Sequence, residues 1–294
     1  MPKLMRIDFY RLTMPDDKTT RFEQVLESVH ALPAKSRTAL FKNVPIRLQH
    51  LRQRDGYYIG DLARIRMEGI PPITRLSGEE EDIELPEDAG LGEEAAFLFY
   101  PAVRVLVLQR NRFSLSAAAF EDYFCQRGKV QRIDLTPVVK RDALQRFRRM
   151  TIHRRLDVTL AGAQNLEQFK GQDRAVSSLV DIAQTLRAPV VGLSVSMGHA
   201  SGGLSGIFDA VRALKRIMGK RGEQGQDVTK IVVSGREGDG PLEVIDLLEE
   251  RMVEEEMIDL GRKFESSRKT RQAALYDAFA RRRDELVLIL APPK

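Results

Sequence analysis

The sequence predicts an α+β protein: two mixed α/β domains with largely antiparallel sheets and a long C-terminal helix. Three observations carry that reading. Two alternating runs meet at Asp55-Gly56, a pair that favours a tight hairpin. The run "AAFLFYPAVRVLVLQRN" is broken at Pro101 into two stretches apolar on both faces, as central strands are. Residues 262–290 hold a helical character to the end of the chain. With 294 residues there is room for two domains, and the polar linker "AGAQNLEQFKGQ" divides them into 1–165 and 166–294, with the boundary near 160–172.

The elements follow in order. Residues 3–12 read as a strand and 20–32 as a helix. A capping box of Thr20 and Glu23 opens that helix, and Phe22, Val25, Leu26 and Val29 form its buried stripe. After the hairpin, "GEEEDIELPEDAGLGEE" mixes glycine, proline and carboxylates without a period and reads as a surface loop. A helix is expected over 116–127 and a strand near 130–135. Thr136-Pro137 marks the first turn of a helix running to about 150. "TIHRRLDVTL" is the next strand. The second half continues as helix 173–186, strand 189–197, a glycine stretch, helix 204–219 and strand 229–235. Residues 237–240 form a turn, and the run after them fits strand and helix equally.

Composition narrows the class. One cysteine, Cys125, excludes an internal disulfide framework and suits a reducing cytosol. No apolar run reaches the roughly 18 residues of a membrane span. The opening "MPKLMRIDFYRL" alternates charge with hydrophobe, unlike a signal peptide, so a cytoplasmic protein is expected. The net charge is +5, unevenly spread. Residues 76–101 hold nine acidic side chains and no basic one, whereas 129–155 hold nine basic and two acidic. Further basic blocks are "RALKRIMGKR", "GRKFESSRKTR" and "ARRRDE". Such segregation fits either solvated helix faces or contact with a polyanion.

No catalytic or cofactor motif is complete. In "VSMGHASGGLSG", Gly198 and Gly203 have phosphate-loop spacing and Ser205 stands where the magnesium-binding hydroxyl would. Leu204, however, occupies the position of the lysine that meets the phosphates. The stretch reads as a strand-to-helix connection, and no cofactor is expected. His30, His50, His153 and His199 show no metal-ligand spacing. Arg148 and His153 form an R-x4-H pattern like that of metal-free helical ribonucleases, which supplies the enzymatic alternative: a metal-independent nuclease. A second alternative is a protein-interaction module that recognises a partner through the acidic loop.

The basic residues instead suggest a binding face. On helix 204–219, Ile207, Val211, Leu214 and Met218 form the buried stripe. Arg212, Arg216 and Lys220 recur on the opposite side, with Lys215 on the flank and Arg221 just beyond. On helix 140–150, Leu144 and Phe147 point inward, leaving Arg141, Gln145, Arg148 and Arg149 outside. In the following strand His153 and Arg155 are expected to face outward. Arg64 and Arg66 share another strand face. The expected nucleic-acid-binding set is therefore Arg141, Arg148, Arg149, Arg155, Arg212, Lys215, Arg216, Lys220 and Arg221. Aromatic residues are few and no RNA-binding aromatic strand stands out, so backbone-directed contact with double-stranded DNA is the expectation.

Several segments taken together point to a family. "EEAAFLFYPAVRVLVLQRN" follows an acidic loop and precedes "SLSAAAFEDYF". "LTPVVKRDALQRFRRMTIHRRLDVTL", "LSVSMG" and "IVVSGREGDGPLEVIDLLEE" come after them in order. This succession resembles the RexA-like phage exclusion family over most of the chain. The resemblance implies an α/β two-domain homodimer that binds DNA with little sequence preference and serves prophage exclusion by abortive infection. It leaves room for a membrane or effector protein as a further partner, and there is no catalytic motif to carry over.

Overall fold

A computed structural model describes residues 2–15, 20–111, 115–161, 174–217, 227–261 and 263–291. It shows an α+β fold of antiparallel sheets and six helices among those residues, ending in a long C-terminal helix. The chain divides into two compact units. One comprises Met1–Ile7, Thr13–Ile133 and Glu255–Ala280, and the other Asp8–Leu12, Asp134–Glu254 and Arg281–Lys294. The sequence places the division near 160–172; the structure places it between Ile133 and Asp134. The reason is strand pairing, because the strand ending at Ala161 is hydrogen-bonded to strands that follow it.

The first unit begins with β1 (Lys3–Thr13) and α1 (Phe22–Ala31), followed by β2 (Ala39–Phe41), β3 (Val44–Arg54) and β4 (Tyr57–Arg66). α1 buries the four expected residues. Its cap lies one residue later than expected, with the Arg21 N–H donating to Gln24 Oε1 at 2.9 Å. Asp55 and Gly56 both take positive φ, 48° and 79°, which suits the two-residue hairpin joining β3 to β4. The acidic segment is not all loop: β5 (Ile73–Thr74) and β6 (Glu80–Glu81) pair, and Arg75 binds Glu81 at 2.9 Å. β7 (Leu91–Tyr100) and β8 (Val105–Arg110) flank a short 3-10 turn at Pro101–Val103, and α2 (Ala117–Gly128) follows with Ser116 as its cap. On one face of the sheet, α1 and α2 interlock rings with it. Phe22 meets Phe99 at 4.9 Å and Phe97 meets Phe120 at 5.3 Å. Gly60 makes this packing possible, since a Cβ there would stand 2.5 Å from the His50 carbonyl.

The second unit holds β9 (Asp134–Pro137), α3 (Arg141–Arg149), β10 (Ile152–Ala161), α4 (Arg174–Thr185), β11 (Val190–Ser196), α5 (Ile207–Ile217), β12 (Asp227–Arg236) and β13 (Glu243–Asp246). Thr136-Pro137 does not open a helix, contrary to expectation. It ends a strand that pairs with β1, and the helix starts at Arg141. The ambiguous run resolves into β13, a turn at 247–250 and β14 (Val253–Ile258), after which α6 (Phe264–Leu290) closes the fold. β1, β14 and α6 contribute residues to both units. The long sheet has the order β14-β1-β8-β7-β4-β3-β2, and a four-stranded sheet runs β11-β10-β12-β13. In the second unit Leu156, Val158, Leu160, Ile231 and Val233 pack against Ala143, Phe147, Val180, Val211 and Leu214. Helices thus cover one face of that sheet. Among the described residues no helix is long and apolar enough to cross a membrane.

Candidate nucleic-acid interface

The glycine stretch lies between β11 and α5. Gly198, Gly202 and Gly206 have φ of 52°, 93° and 71°, the left-handed region that glycine enters without penalty. Its carbonyl groups converge on a cation. Arg154 Nη1 donates to the carbonyls of Ala200 at 2.6 Å and Gly202 at 2.9 Å, and Nη2 donates to that of Gly198 at 2.7 Å. The Leu204 N–H donates to the His153 carbonyl at 2.8 Å, stitching the loop to β10. A phosphate cradle needs N–H groups aimed at an anion. This loop has the opposite polarity, built around a guanidinium of its own chain.

Arg154 reaches the loop because β10 carries a bulge between His153 and Arg155. The bulge also breaks the strand alternation. His153 pairs with Gly235 and Arg155 with Ser234, adjacent residues whose side chains face opposite ways. His153, expected outside, is therefore 5% exposed. Its ring lies 5.6 Å from Phe147 and 5.1 Å from Phe208, and those two rings are 4.8 Å apart. Burial holds its pKa below the ordinary value, and its Nε2 is sealed without a hydrogen-bond partner. Arg148 is exposed. The pair expected for a metal-independent nuclease is thus split between solvent and core.

The aromatic contact draws α3 and α5 together, and with them part of the predicted cation set. Arg141, Gln145 and Arg148 recur along the exposed side of α3, with Arg149 beside them. Phe208, Arg212 and Lys215 recur in the same way along α5. Lys215 is partly buried, and its pKa is drawn down to about 8, first by burial and then by the nearby Arg148 guanidinium. Among the described residues neither Arg148 nor Arg149 pairs with a carboxylate. Arg212 does pair, with Asp209 at 3.3 Å, both well exposed.

Arg155 does not join this group. It is bound to Asp157 at 2.9 Å on the sheet face opposite the helices. Arg66 is paired with Glu93. The Arg216 side chain, Lys220 and Arg221 lie outside the described residues.

Two features escaped sequence reading. Arg154 is one; its only signal is two consecutive arginines in an alternating strand. The other is a buried charge cluster in the first unit. Arg271 Nη2 lies 2.8 Å from Glu94 Oε2 and 3.7 Å from Asp61 Oδ1. Gln272 donates to Asp61 and accepts from Arg52, while Arg268 lies 2.6 Å from His50 Nε2. Asp61 is fully buried, and its pKa rises to about 6, first from burial and then from Glu94. The cluster fastens α6 to the sheet.

Over residues 3–282 the sequence matches a family of unknown function, DUF6731. The chain belongs to the DUF6731 family. The matched span runs from β1 into α6, so the charge cluster, the Arg154-centred loop and the α3–α5 surface all fall within the DUF6731 region. No curated protein matches the chain.

Proposed function

We propose that this DUF6731 protein binds nucleic acid through its phosphate backbone, with Arg148, Arg149 and Lys215 as the central contacts and Arg141 and Arg212 beside them. The observation that carries the reading is the Phe147–Phe208 ring contact at 4.8 Å, which brings α3, with Arg148 and Arg149 exposed and without a carboxylate partner among the described residues, to the helix that carries Arg212 and Lys215. Like charges held together disfavour the charged lysine, and an anion placed between them removes that penalty. Phosphates arrayed along a strand meet this need without base recognition. The wider setting, a cytoplasmic homodimer that acts on DNA in prophage exclusion, is supported by the sequence resemblance.

A salt titration tests the interface. Wild type and a triple variant, Arg148→Gln, Arg149→Gln and Lys215→Gln, are titrated with a duplex at several salt concentrations. The variant is expected to stay folded and bind more weakly, its log–log salt slope shallower by about 0.9 for each phosphate no longer neutralised. An unchanged slope overturns the assignment. Comparing plaque formation on cells carrying the wild-type or triple-variant gene tests the exclusion setting, which predicts that the variant loses protection.

A further inference from the structure

We infer that Phe208 is a base-stacking platform and that the α3–α5 surface therefore takes unpaired nucleic-acid strands in preference to duplex. This deepens the reading above and rests on it. Phenylalanines of the first unit such as Phe97, Phe99, Phe120 and Phe124 are buried at 0–1% exposure, whereas Phe208 is 44% exposed. It is nevertheless held in place. Phe147 supports its ring at 4.8 Å with an interplanar angle of 53°, and His153 meets it edge-on at 5.1 Å and 87°. Burial lowers the pKa of His153, which disfavours a charge beside the ring. The platform is an aromatic ring braced by two neighbouring rings while the residue stays 44% exposed.

Its surroundings identify the occupant. Arg212 stands four residues and Lys215 seven residues beyond Phe208, so both lie near its line along α5, about 6 and 10 Å further on at 1.5 Å per residue. Arg148 follows Phe147 directly and is exposed on α3, near enough to Lys215 for its charge to be felt there. An aromatic ring bordered by cations matches the way single strands are held, with bases stacked on rings and the backbone following positive charge. The Arg212–Asp209 pair is exposed on both sides and so weakly held that a phosphate can take its place. Duplex cannot use the ring in the same way. Each internal base of a duplex is covered on both faces by its neighbours, and only an unpaired base offers a free face. The cations serve either form, but Phe208 serves only the unpaired strand.

The chain has no tryptophan, so Phe208→Trp introduces a single, selectively excitable tryptophan at the platform. Labelled oligo-dT, oligo-U and a mixed-sequence duplex of equal length are titrated into wild type, Phe208→Leu and Phe208→Trp; the first two probes separate DNA from RNA. Wild type is expected to bind a single strand more tightly than duplex. Phe208→Leu keeps an apolar contact with Phe147 and is expected to weaken single-strand binding by about 5- to 150-fold, the range for loss of one stacked base, with duplex binding unchanged. Phe208→Trp should retain single-strand affinity, with emission quenched by the single strand and not by duplex. If Phe208→Leu leaves single-strand affinity unchanged, or weakens both forms equally, the stacking proposal fails while backbone binding stands. Emission from the Phe208→Trp variant that stays unquenched on single-strand binding also overturns it. Absence of binding to all three probes removes both this proposal and the reading beneath it.

Discussion

Arginines do opposite work in two regions of this molecule. Under α6 in the first unit, Arg271 is buried between Glu94 and Asp61, and Arg268 is held against His50. On α3 in the second unit, Arg148 and Arg149 are exposed and have no carboxylate partner among the described residues. In sequence both regions are basic blocks of similar density. The difference lies in what faces each residue. A guanidinium enclosed with carboxylates locks two elements together, whereas one left beside another cation is available to an incoming anion. The block "ARRRDE" behaves as the first kind, since Arg282 binds Glu254 at 2.6 Å and Glu285 at 3.0 Å. Counting basic residues along the chain therefore overstates the binding surface.

The sharpest way to break this comparison is to remove one arginine of each kind. Arg271→Met leaves two buried carboxylates uncompensated and is expected to cost on the order of 3–5 kcal/mol in denaturant unfolding. Arg148→Met should stay within about 0.5 kcal/mol of wild type. Equal losses would erase the distinction.

Proton linkage gives the next largest effect. The folded-state pKa of Asp61, about 6, lies above its ordinary 3.8. Between those values the unfolded chain has lost a proton that the folded chain retains. Stability from this group is thus greatest at low pH and falls as pH rises from about 4 through about 6. Asp61→Asn keeps an acceptor for Gln272 and should flatten that part of the curve. A variant curve parallel to wild type would show that Asp61 is not the group responsible.

Smaller effects are expected at the glycine stretch. Arg154→Met removes the donor shared by three carbonyls and should cost about 1–2 kcal/mol, with faster amide exchange over residues 197–206. Gly202→Ala should cost about 1 kcal/mol, because φ of 93° is strained for any residue with a Cβ. Neither ATP nor GTP should raise the melting temperature, and a saturable rise would reverse the reading of the loop.

The mildest test concerns Lys215. Its pKa of about 8 leaves it charged below that pH and neutral above it. Nucleic-acid affinity should therefore decline as pH rises from 7 to 9, and Lys215→Arg should flatten the decline. Identical curves would remove Lys215 from the contact surface.

Local chemistry makes much of the fold legible. Asp55-Gly56 can adopt positive φ, so the hairpin is readable from two residues. The stripe of α1 and the apolar strands around Pro101 are readable from their periods, because those patterns need no knowledge of what they pack against. Thr136-Pro137 misleads because proline fits a first helical turn and a strand end alike, and only pairing with β1 chooses between them. At the candidate interface, helical spacing places Arg141, Arg148, Arg149 and Arg212 on outer faces and Lys215 on a flank. It cannot bring α3 to α5, because that depends on a ring contact between Phe147 and Phe208, 61 positions apart.

By itself, then, the sequence determined most element types, the hairpin, the buried stripe of α1 and the excess of cations, all of which depend on neighbours within a few residues. Tertiary structure decided which cations are already engaged. Arg154 belongs to the glycine stretch because a one-residue bulge redirects it. Arg271 belongs to the core because the register of β4 and β7 places Asp61 and Glu94 on one face beneath α6. Charge compensation acts between groups a few ångströms apart in space, and the chain order does not record that distance.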